Sequence, residues 1–151
     1  MIIKKAKPQD ARRISYLIRQ NTDKVADNPY SEAQKQAWKQ ANTPGKVAKS
    51  MQQKTIWCAW DNGRLVGTIA RKGNELMGLY VSHTQRGKGI GGQLLAHLEV
   101  QARAAGITDL FLYATPSGQV FYQSRGFIAV EKASVWVNGV EFRETKMTKL
   151  L

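Results

Sequence analysis

Hydrophobic and polar positions repeat with two different periods along the chain, and the change of period falls near residue 55. In the first third, apolar residues recur every three or four positions, which is typical of an amphipathic helix. They are Ala11, Ile14, Leu17 and Ile18. Proline-containing breaks at 28–29 and 43–45 predict two further helices, one over 31–40 and a short one after Gly45. A short strand at 2–3 precedes this helical part.

Beyond residue 55 the pattern is that of strands separated by tight turns. Asn62-Gly63 and Asn138-Gly139 are pairs that favour hairpin turns. The predicted strands cover 55–60, 64–70, 75–82, 110–114, 127–137 and 140–149, with a long helix ending at Gly106 and a short helix over 118–124. This order is an antiparallel meander, a strand–helix–strand unit and a closing hairpin. Because no repeat or long linker interrupts it, we expect one domain over residues 1–151.

Composition narrows the class of protein without identifying it. The chain has 151 residues, of which 42% are hydrophobic and 23% charged, and these fractions fit a globular rather than a disordered chain. Lys and Arg number 23 against 11 Asp and Glu, which gives a net charge of +12. Such an excess suits nucleic acid, an anionic membrane surface or a phosphorylated small molecule. Residues 1–54 alone carry a net +8.

Few residues are suited to covalent or metal chemistry. The lone Cys58 excludes an internal disulfide and a cysteine-based zinc site, and its apolar neighbours predict a buried strand position rather than a nucleophile. His83 and His97 lack the spacing of a metal pair, so we expect no metal. No apolar run approaches the ~20 residues of a membrane helix, and the first residues do not resemble a signal peptide. We therefore expect a soluble, cytoplasmic protein without a membrane partner.

The most informative segment is a glycine cluster between a predicted strand and the long helix. Its glycines are Gly87, Gly89, Gly91 and Gly92, with Arg86 and Lys88 interleaved. Unpaired backbone N–H groups and the positive end of the helix dipole suit such a turn to binding phosphate. The spacing of Gly87, Gly89 and Gly92 formally matches the dinucleotide-binding fingerprint. That fold needs an acidic residue at the end of the next strand, but Asp109 lies at its start, and an antiparallel meander precedes the turn, so a dinucleotide site is not expected. No Lys-Ser/Thr follows, which excludes a P-loop.

Two segments resemble the signatures of the GNAT (GCN5-related) N-acetyltransferases. Arg86-Gly-Lys-Gly89-Ile-Gly91 is similar to the family's Gln/Arg-x-x-Gly-x-Gly/Ala motif, which holds the pyrophosphate of acetyl-CoA. The segment 115–127, with Phe121-Tyr122 and then Gly126-Phe127, is similar to the second signature. The resemblance covers 60–151 by motif and 1–59 by topology. It implies an α+β (α/β) GNAT fold in which a central mixed, mostly antiparallel sheet splays after the fourth strand and is flanked by helices.

The resemblance also implies roles for individual residues. Those that would bind acetyl-CoA are Leu79, Val81, Arg86, Gly87, Lys88, Gly89, Ile90, Gly91, Gly92, Thr115 and Tyr122. The backbone N–H of Val81 would polarise the acetyl carbonyl, and the Tyr122 phenol, with an ordinary pKa of ~10, would protonate the departing sulfur. Thr115 replaces the Asn found in many relatives, which leaves its contact to the cofactor open.

The group that removes the proton from the amine has several candidates. Glu75 lies eleven residues before Arg86, the offset of the catalytic glutamate in the histone-acetylating branch of the family. Strict strand alternation would place it on the same side as Leu79 and Val81. The alternative is an exposed charge at the start of a strand. His83 or a chain of water molecules would be a different proton acceptor.

The expected function is transfer of an acetyl group from acetyl-CoA to a primary amine of a small molecule or peptide, by direct attack, in a monomer or homodimer. The basic first third disfavours a strongly cationic acceptor and suits an acidic, phosphorylated or RNA-linked one. A toxin-like acetyltransferase acting on aminoacyl-tRNA is therefore one alternative. A non-catalytic, basic nucleic-acid-binding module is another, although it would need neither the glycine cluster nor the Phe-Tyr signature.

Overall fold

Seven strands form one mixed sheet in the computed structural model, which describes residues 1–24 and 30–151. The strands are β1 (Ile2–Lys5), β2 (Thr55–Asp61), β3 (Arg64–Lys72), β4 (Glu75–Val81), β5 (Asp109–Ala114), β6 (Ile128–Val137) and β7 (Val140–Leu150). Their order across the sheet is β1-β2-β3-β4-β5-β7-β6. All neighbours are antiparallel except β4 and β5, which are parallel. The predicted mixed, mostly antiparallel fold is confirmed.

Helices cover both faces of this sheet. They are α1 (Ala11–Lys24), α2 (Glu32–Ala41), α3 (Pro44–Ser50), α4 (Ile90–Ala104) and α5 (Gln119–Gln123), with single 3-10 turns at Pro8–Asp10 and His83–Gln85. Ser31 and Gln34 form a capping box at the start of α2, and Thr43 caps α3. The predicted break at 28–29 lies outside the described residues. None of the described helices is long and apolar enough to cross a membrane.

Two hydrophobic cores lie on opposite faces of the sheet. One lies beneath α4, where Leu94 and Leu98 are fully buried against β2–β5. Burial of each such leucine contributes about 1.5–3 kcal/mol to folding. The other lies beneath α1 and α3 and contains Ile14, Val47 and Cys58. Burial raises the pKa of the Cys58 thiol to about 12, so it stays protonated in the interior, and the predicted buried position is confirmed.

An irregularity in β4 changes which side chains face which layer. The pairing with β3 shifts register in the middle of the strand, so that β4 accommodates one extra residue, Met77. Leu76 therefore packs in the same core as Leu79 and Val81. Glu75, next to Leu76, faces the opposite side of the sheet. The prediction that Glu75 shares a side with Leu79 and Val81 is wrong, because it assumed uninterrupted alternation.

The sheet opens between β4 and β5. In the ladder, these strands pair only at Glu75 and Phe111 among the described residues, and the Phe111 N–H also donates to the Asn74 carbonyl at 3.0 Å. From Leu76 onward β4 leaves its partner, so its edge towards β5 has unpaired backbone groups. The predicted splay after the fourth strand is confirmed. We call the opening between the later part of β4 and β5 the cleft.

Candidate active site

The glycine cluster forms an open turn at the start of α4. Gly87 and Gly89 have φ values of 78° and 77°, a left-handed conformation that favours glycine, and no atom would contact a side chain at either position. Gly89 is the N-cap residue, and no side chain caps the helix. The first N–H groups of α4, from buried Ile90 through Gly91 and Gly92, are therefore available to an external acceptor. The turn has the backbone chemistry of an anion site.

Three cationic side chains lie around this turn. Arg86 and Lys88 are exposed, and the Lys88 ammonium donates to the Gln85 side chain at 3.0 Å. The third is Arg125, whose guanidinium stacks on the Phe121 ring at 4.2 Å. A Cβ added to Gly92 would lie 2.6 Å from that guanidinium, so the glycine leaves the space that Arg125 occupies. Sequence reasoning missed Arg125, because only the tertiary structure brings α5 beside the first turn of α4.

The end of β4 presents its backbone to the cleft. The Ser82 N–H donates to the Val66 carbonyl of β3 at 2.9 Å, so the preceding N–H, that of Val81, points away from β3. The Val81 carbonyl accepts a hydrogen bond of 2.6 Å from the side-chain amide of Asn21, a buried residue of α1. Leu79 has the same orientation, two residues earlier. Asn21, which the sequence did not single out, ties the end of the strand to α1.

Tyr122 lies among aromatic rings beside the glycine turn. Its ring makes edge contacts with Phe121 at 5.2 Å and Phe127 at 5.6 Å. The Thr115 hydroxyl accepts from the Gly118 N–H at 3.0 Å and so shapes the loop before α5. Burial raises the pKa of the Tyr122 phenol above its ordinary value, so the phenol keeps its proton at neutral pH and can donate it.

The glycine turn, the end of β4 and α5 converge at one place. A Cβ on Gly91 would lie 3.4 Å from the Phe121 ring and 3.6 Å from the Val81 side chain. Most predicted cofactor and catalytic residues are thus brought together at one end of the cleft. His83 lies between β4 and the turn, half-buried, and its Nδ1 has no hydrogen-bond partner in the described part of the chain.

Glu75 lies elsewhere. It pairs with Phe111, where β4 and β5 are still joined, and Val81 lies six residues further along the strand, which corresponds to about 20 Å. Burial raises the pKa of its carboxyl, and Lys72, Lys146 and Lys54 oppose that shift. The structure does not bring Glu75 to the end of the cleft where Val81 and Tyr122 lie.

A second carboxylate, Glu144 on β7, lies closer to that end. It is 7% exposed, and the Tyr30 hydroxyl donates to its two oxygens at 3.1 and 3.4 Å. Burial raises the pKa of Glu144 to about 7, although the hydrogen bond from Tyr30 lowers it. The Tyr80 phenol of β4 is buried, hydrogen-bonds Trp38, and has its pKa raised further by Tyr122 and Glu144. Sequence reasoning missed this group, since an isolated Glu in a strand gives no signal of burial.

A comparison with protein-family models places this chain in a known family. Residues 26–151 match the model described as the Acetyltransferase (GNAT) domain, which includes both signature segments. The chain belongs to this family. The enzyme class expected from the sequence, an acetyl-CoA-dependent acyltransferase, is thereby confirmed. A comparison with curated proteins gives no match.

Solved structures of similar shape agree with the family. A GCN5-related N-acetyltransferase from Rhodopseudomonas palustris superposes with a TM-score of 0.93 at 28% identity, over 99% of this chain and 95% of that one. The PaiA N-acetyltransferase of Thermoplasma acidophilum, solved with coenzyme A, has a TM-score of 0.83 at 22% identity, over 99% and 98% of the two chains. An aminoglycoside 6'-N-acetyltransferase, also solved with coenzyme A, has a TM-score of 0.74 at 20% identity, over 99% and 97%.

Proposed function

We propose that this protein transfers the acetyl group of acetyl-CoA to a primary amine of a small molecule or peptide by direct attack, in the cytoplasm and as one GNAT domain over residues 1–151. The observation that carries the proposal is the convergence of an uncapped helix start, an unpaired strand edge and a protonated phenol at one end of the cleft. The similar PaiA and aminoglycoside acetyltransferase structures were both solved with coenzyme A, which supports the choice of donor.

The residues around the glycine turn fit the cofactor. The N–H groups of 87–92 and the cations of Arg86, Lys88 and Arg125 would bind its pyrophosphate, and the open space at Gly87 and Gly89 admits it. The unpaired edge of Leu79 and Val81 would bind the pantetheine arm as an added strand. Thr115, in the loop before α5, would border the arm on its other side. When bound, acetyl-CoA supplies the activated acetyl group.

Three residues were predicted to act on the reacting atoms. The Val81 N–H is free to stabilise the developing oxyanion, and removal of such a donor costs ~2.7–4 kcal/mol in well-studied enzymes. Tyr122 holds its proton until the sulfur departs, since burial disfavours the phenolate. Glu75 would serve as the proton acceptor only through water along the cleft, because about 20 Å of β4 separates it from Val81.

The test combines cofactor binding with an acceptor panel. Acetyl-CoA should raise the thermal midpoint, and above Kd the stabilisation should grow with the logarithm of its concentration. Release of free thiol from acetyl-CoA is then followed with amino acids, small amines, peptides and charged tRNA as acceptors. Transfer to one or more amines is the expected result. Absence of both a thermal shift and any transfer would overturn the proposal.

Aminoacyl-tRNA stays in the panel because of one observation, the net +8 of residues 1–54. A phosphate-rich acceptor would bind with a steep salt dependence, whereas a small amine would not. Tight binding of tRNA without an effect of acetyl-CoA would instead favour a non-catalytic module. Sedimentation of the purified protein distinguishes the expected monomer from the homodimer.

A further inference from the structure

We propose that Glu144 binds the ammonium group of the acceptor and takes its proton before the amine attacks. The inference rests on the proposed acetyl transfer and adds the residue that recognises the acceptor. It assigns the acceptor to the protonated alkylamines, with the ammonium group held between Glu144 and the two phenols Tyr30 and Tyr80.

The topology places Glu144 at the cleft. Ala114, the last residue of β5, pairs with Thr145 of β7. Glu144 is therefore the first β7 residue beyond the end of β5, where β7 itself borders the opening. Tyr80 comes from β4, on the other side of the opening, and lies close enough to both Glu144 and Tyr122 to be influenced by each. The carboxylate and the proposed acid thus belong to one polar group of residues.

Among residues 1–24 and 30–151, no cationic side chain is paired with Glu144. In the described part of the chain Glu144 takes part in no ion pair. Lys146 follows on the same face of β7, but its ammonium lies over the Phe111 ring at 5.1 Å. Lys132 of β6 donates to Thr145, which faces the other side of the sheet. Among the groups that the structure describes, the phenols of Tyr30 and Tyr80 face Glu144, and both are neutral at pH 7.

A buried carboxylate without a cation is unfavourable, and a cationic ligand removes that cost. Burial, opposed by the hydrogen bond from Tyr30, leaves Glu144 with a pKa of about 7, so the ionised and protonated forms coexist near neutral pH. An arriving ammonium favours the ionised form. A carboxylate with a pKa near the working pH is also well matched to accept a proton.

Glu144 and Tyr122 together account for every proton that moves in the proposed reaction. One proton passes from the alkylammonium to the Glu144 carboxylate, which leaves a neutral amine. Its nitrogen forms a bond to the acetyl carbon, and the carbon–sulfur bond breaks. Tyr122 gives its proton to the departing sulfur and regains one from the nitrogen of the collapsing intermediate. Glu144 then releases its proton to solvent, so that amide, free thiol and one proton are formed.

The decisive variant is Glu144→Gln, which retains the shape of the side chain and removes its charge. It is assayed with benzylamine, an ammonium ion at pH 7, and with aniline, which is neutral at pH 7. We expect kcat/KM to fall about 100-fold for benzylamine, as is usual for loss of a general base, and to change only a few-fold for aniline. The ionisation near pH 7 on the acidic side of the wild-type kcat/KM profile should also disappear, because activity requires the ionised carboxylate.

Two matched variants accompany it. Glu131→Gln removes an exposed carboxylate from β6 and should leave both rates unchanged. Glu75→Gln tests the residue that the sequence favoured. A selective loss for benzylamine in Glu75→Gln but not in Glu144→Gln would overturn the proposal, and so would equal losses for both amines in Glu144→Gln.

A measurement without turnover covers the case in which neither amine is acetylated. Infrared difference spectra of the wild type minus Glu144→Gln should show a buried carboxylic acid that titrates near pH 7. Methylammonium chloride should lower that midpoint, whereas sodium chloride at equal ionic strength should not. An unchanged midpoint would overturn the inference. Wild-type protein that binds acetyl-CoA and acetylates another amine of the acceptor panel would leave the proposed function intact in that event.

Discussion

Three side chains of the cleft have environments that set their protonation states. Tyr122 and Tyr80 are buried phenols whose pKa values are raised, so both stay neutral at pH 7. Glu144 is a buried carboxyl with a pKa of about 7. Groups whose environments separate their pKa values in this way are the natural acid and base of one reaction. The pKa values of the proposed acid, Tyr122, and the proposed base, Glu144, are therefore well separated.

The Tyr122→Phe variant tests the acid directly. Removal of the hydroxyl leaves the ring packing with Phe121 and Phe127 in place, so the fold and cofactor binding should be retained. We expect kcat to fall by about 10²–10⁴, the usual contribution of a general acid. Tyr113→Phe removes a hydroxyl from a more exposed tyrosine of β5 and serves as the control. Wild-type turnover in Tyr122→Phe, measured by thiol release, would exclude Tyr122 as the acid.

Among the elements, α4 and β4 contribute backbone rather than side chains to the site. The helix offers uncapped N–H groups, and the strand offers an edge that β5 does not cover. The hydrogen bond from Asn21 to the Val81 carbonyl holds that edge in place from α1. Side chains enter chiefly from the loop and helix α5, which carries Tyr122 and places Arg125 against the start of α4.

Arg125→Ala tests the contribution of α5 to cofactor binding. The guanidinium lies next to Gly92 in the first turn of α4, where a bound pyrophosphate would be. We expect the Kd for coenzyme A, measured by calorimetry, to rise about tenfold at low salt, and the difference to shrink as salt is added. Arg143→Ala removes an exposed arginine of β7 and should change Kd little. Equal effects of the two variants would indicate only a change of net charge.

The element boundaries could be read from the sequence almost throughout. Turn pairs such as Asn62-Gly63 and Asn138-Gly139 adopt the positive φ values that hairpins need, and the strands follow them as predicted. The bulge at Met77 was not predicted, although the adjacent Gly78 is a glycine inside a strand, which often marks a bulge. Its consequence was an incorrect face for Glu75.

In the molecule as a whole the net charge is +12, whereas the group proposed to bind the acceptor amine is a carboxylate. Basic residues of the first third lie on β1 and on the helices, where Lys4 and Arg13 approach the Trp60 ring and Lys39 pairs with Asp23. Glu144 lies by the cleft, just beyond the end of β5. Net charge governs long-range attraction of partners, whereas the acceptor amine is recognised by the groups within a few ångströms of it.

The double variant Lys46→Glu, Lys49→Glu separates these two effects. Both lysines are exposed on α3, whose other side packs through Val47 into the core, so stability should change little. At 0.15 M salt, where the Debye length is about 8 Å, we expect kcat/KM for a small alkylamine to change less than about twofold. Binding of tRNA, if measurable, should weaken. A large change in amine kinetics would show that surface charge selects the acceptor.

The amino-acid sequence by itself determined the order of helices and strands, the glycine turn before the long helix and the family, because periodicity, turn residues and short motifs are local properties of the chain. The tertiary structure decided which distant groups share the cleft. Arg125 reaches α4, Asn21 reaches Val81, and Tyr30 and Tyr80 reach Glu144 only after the sheet and its helices have assembled. Burial and proximity depend on contacts between residues far apart in sequence, and these two properties make a carboxyl such as Glu144 titrate near pH 7.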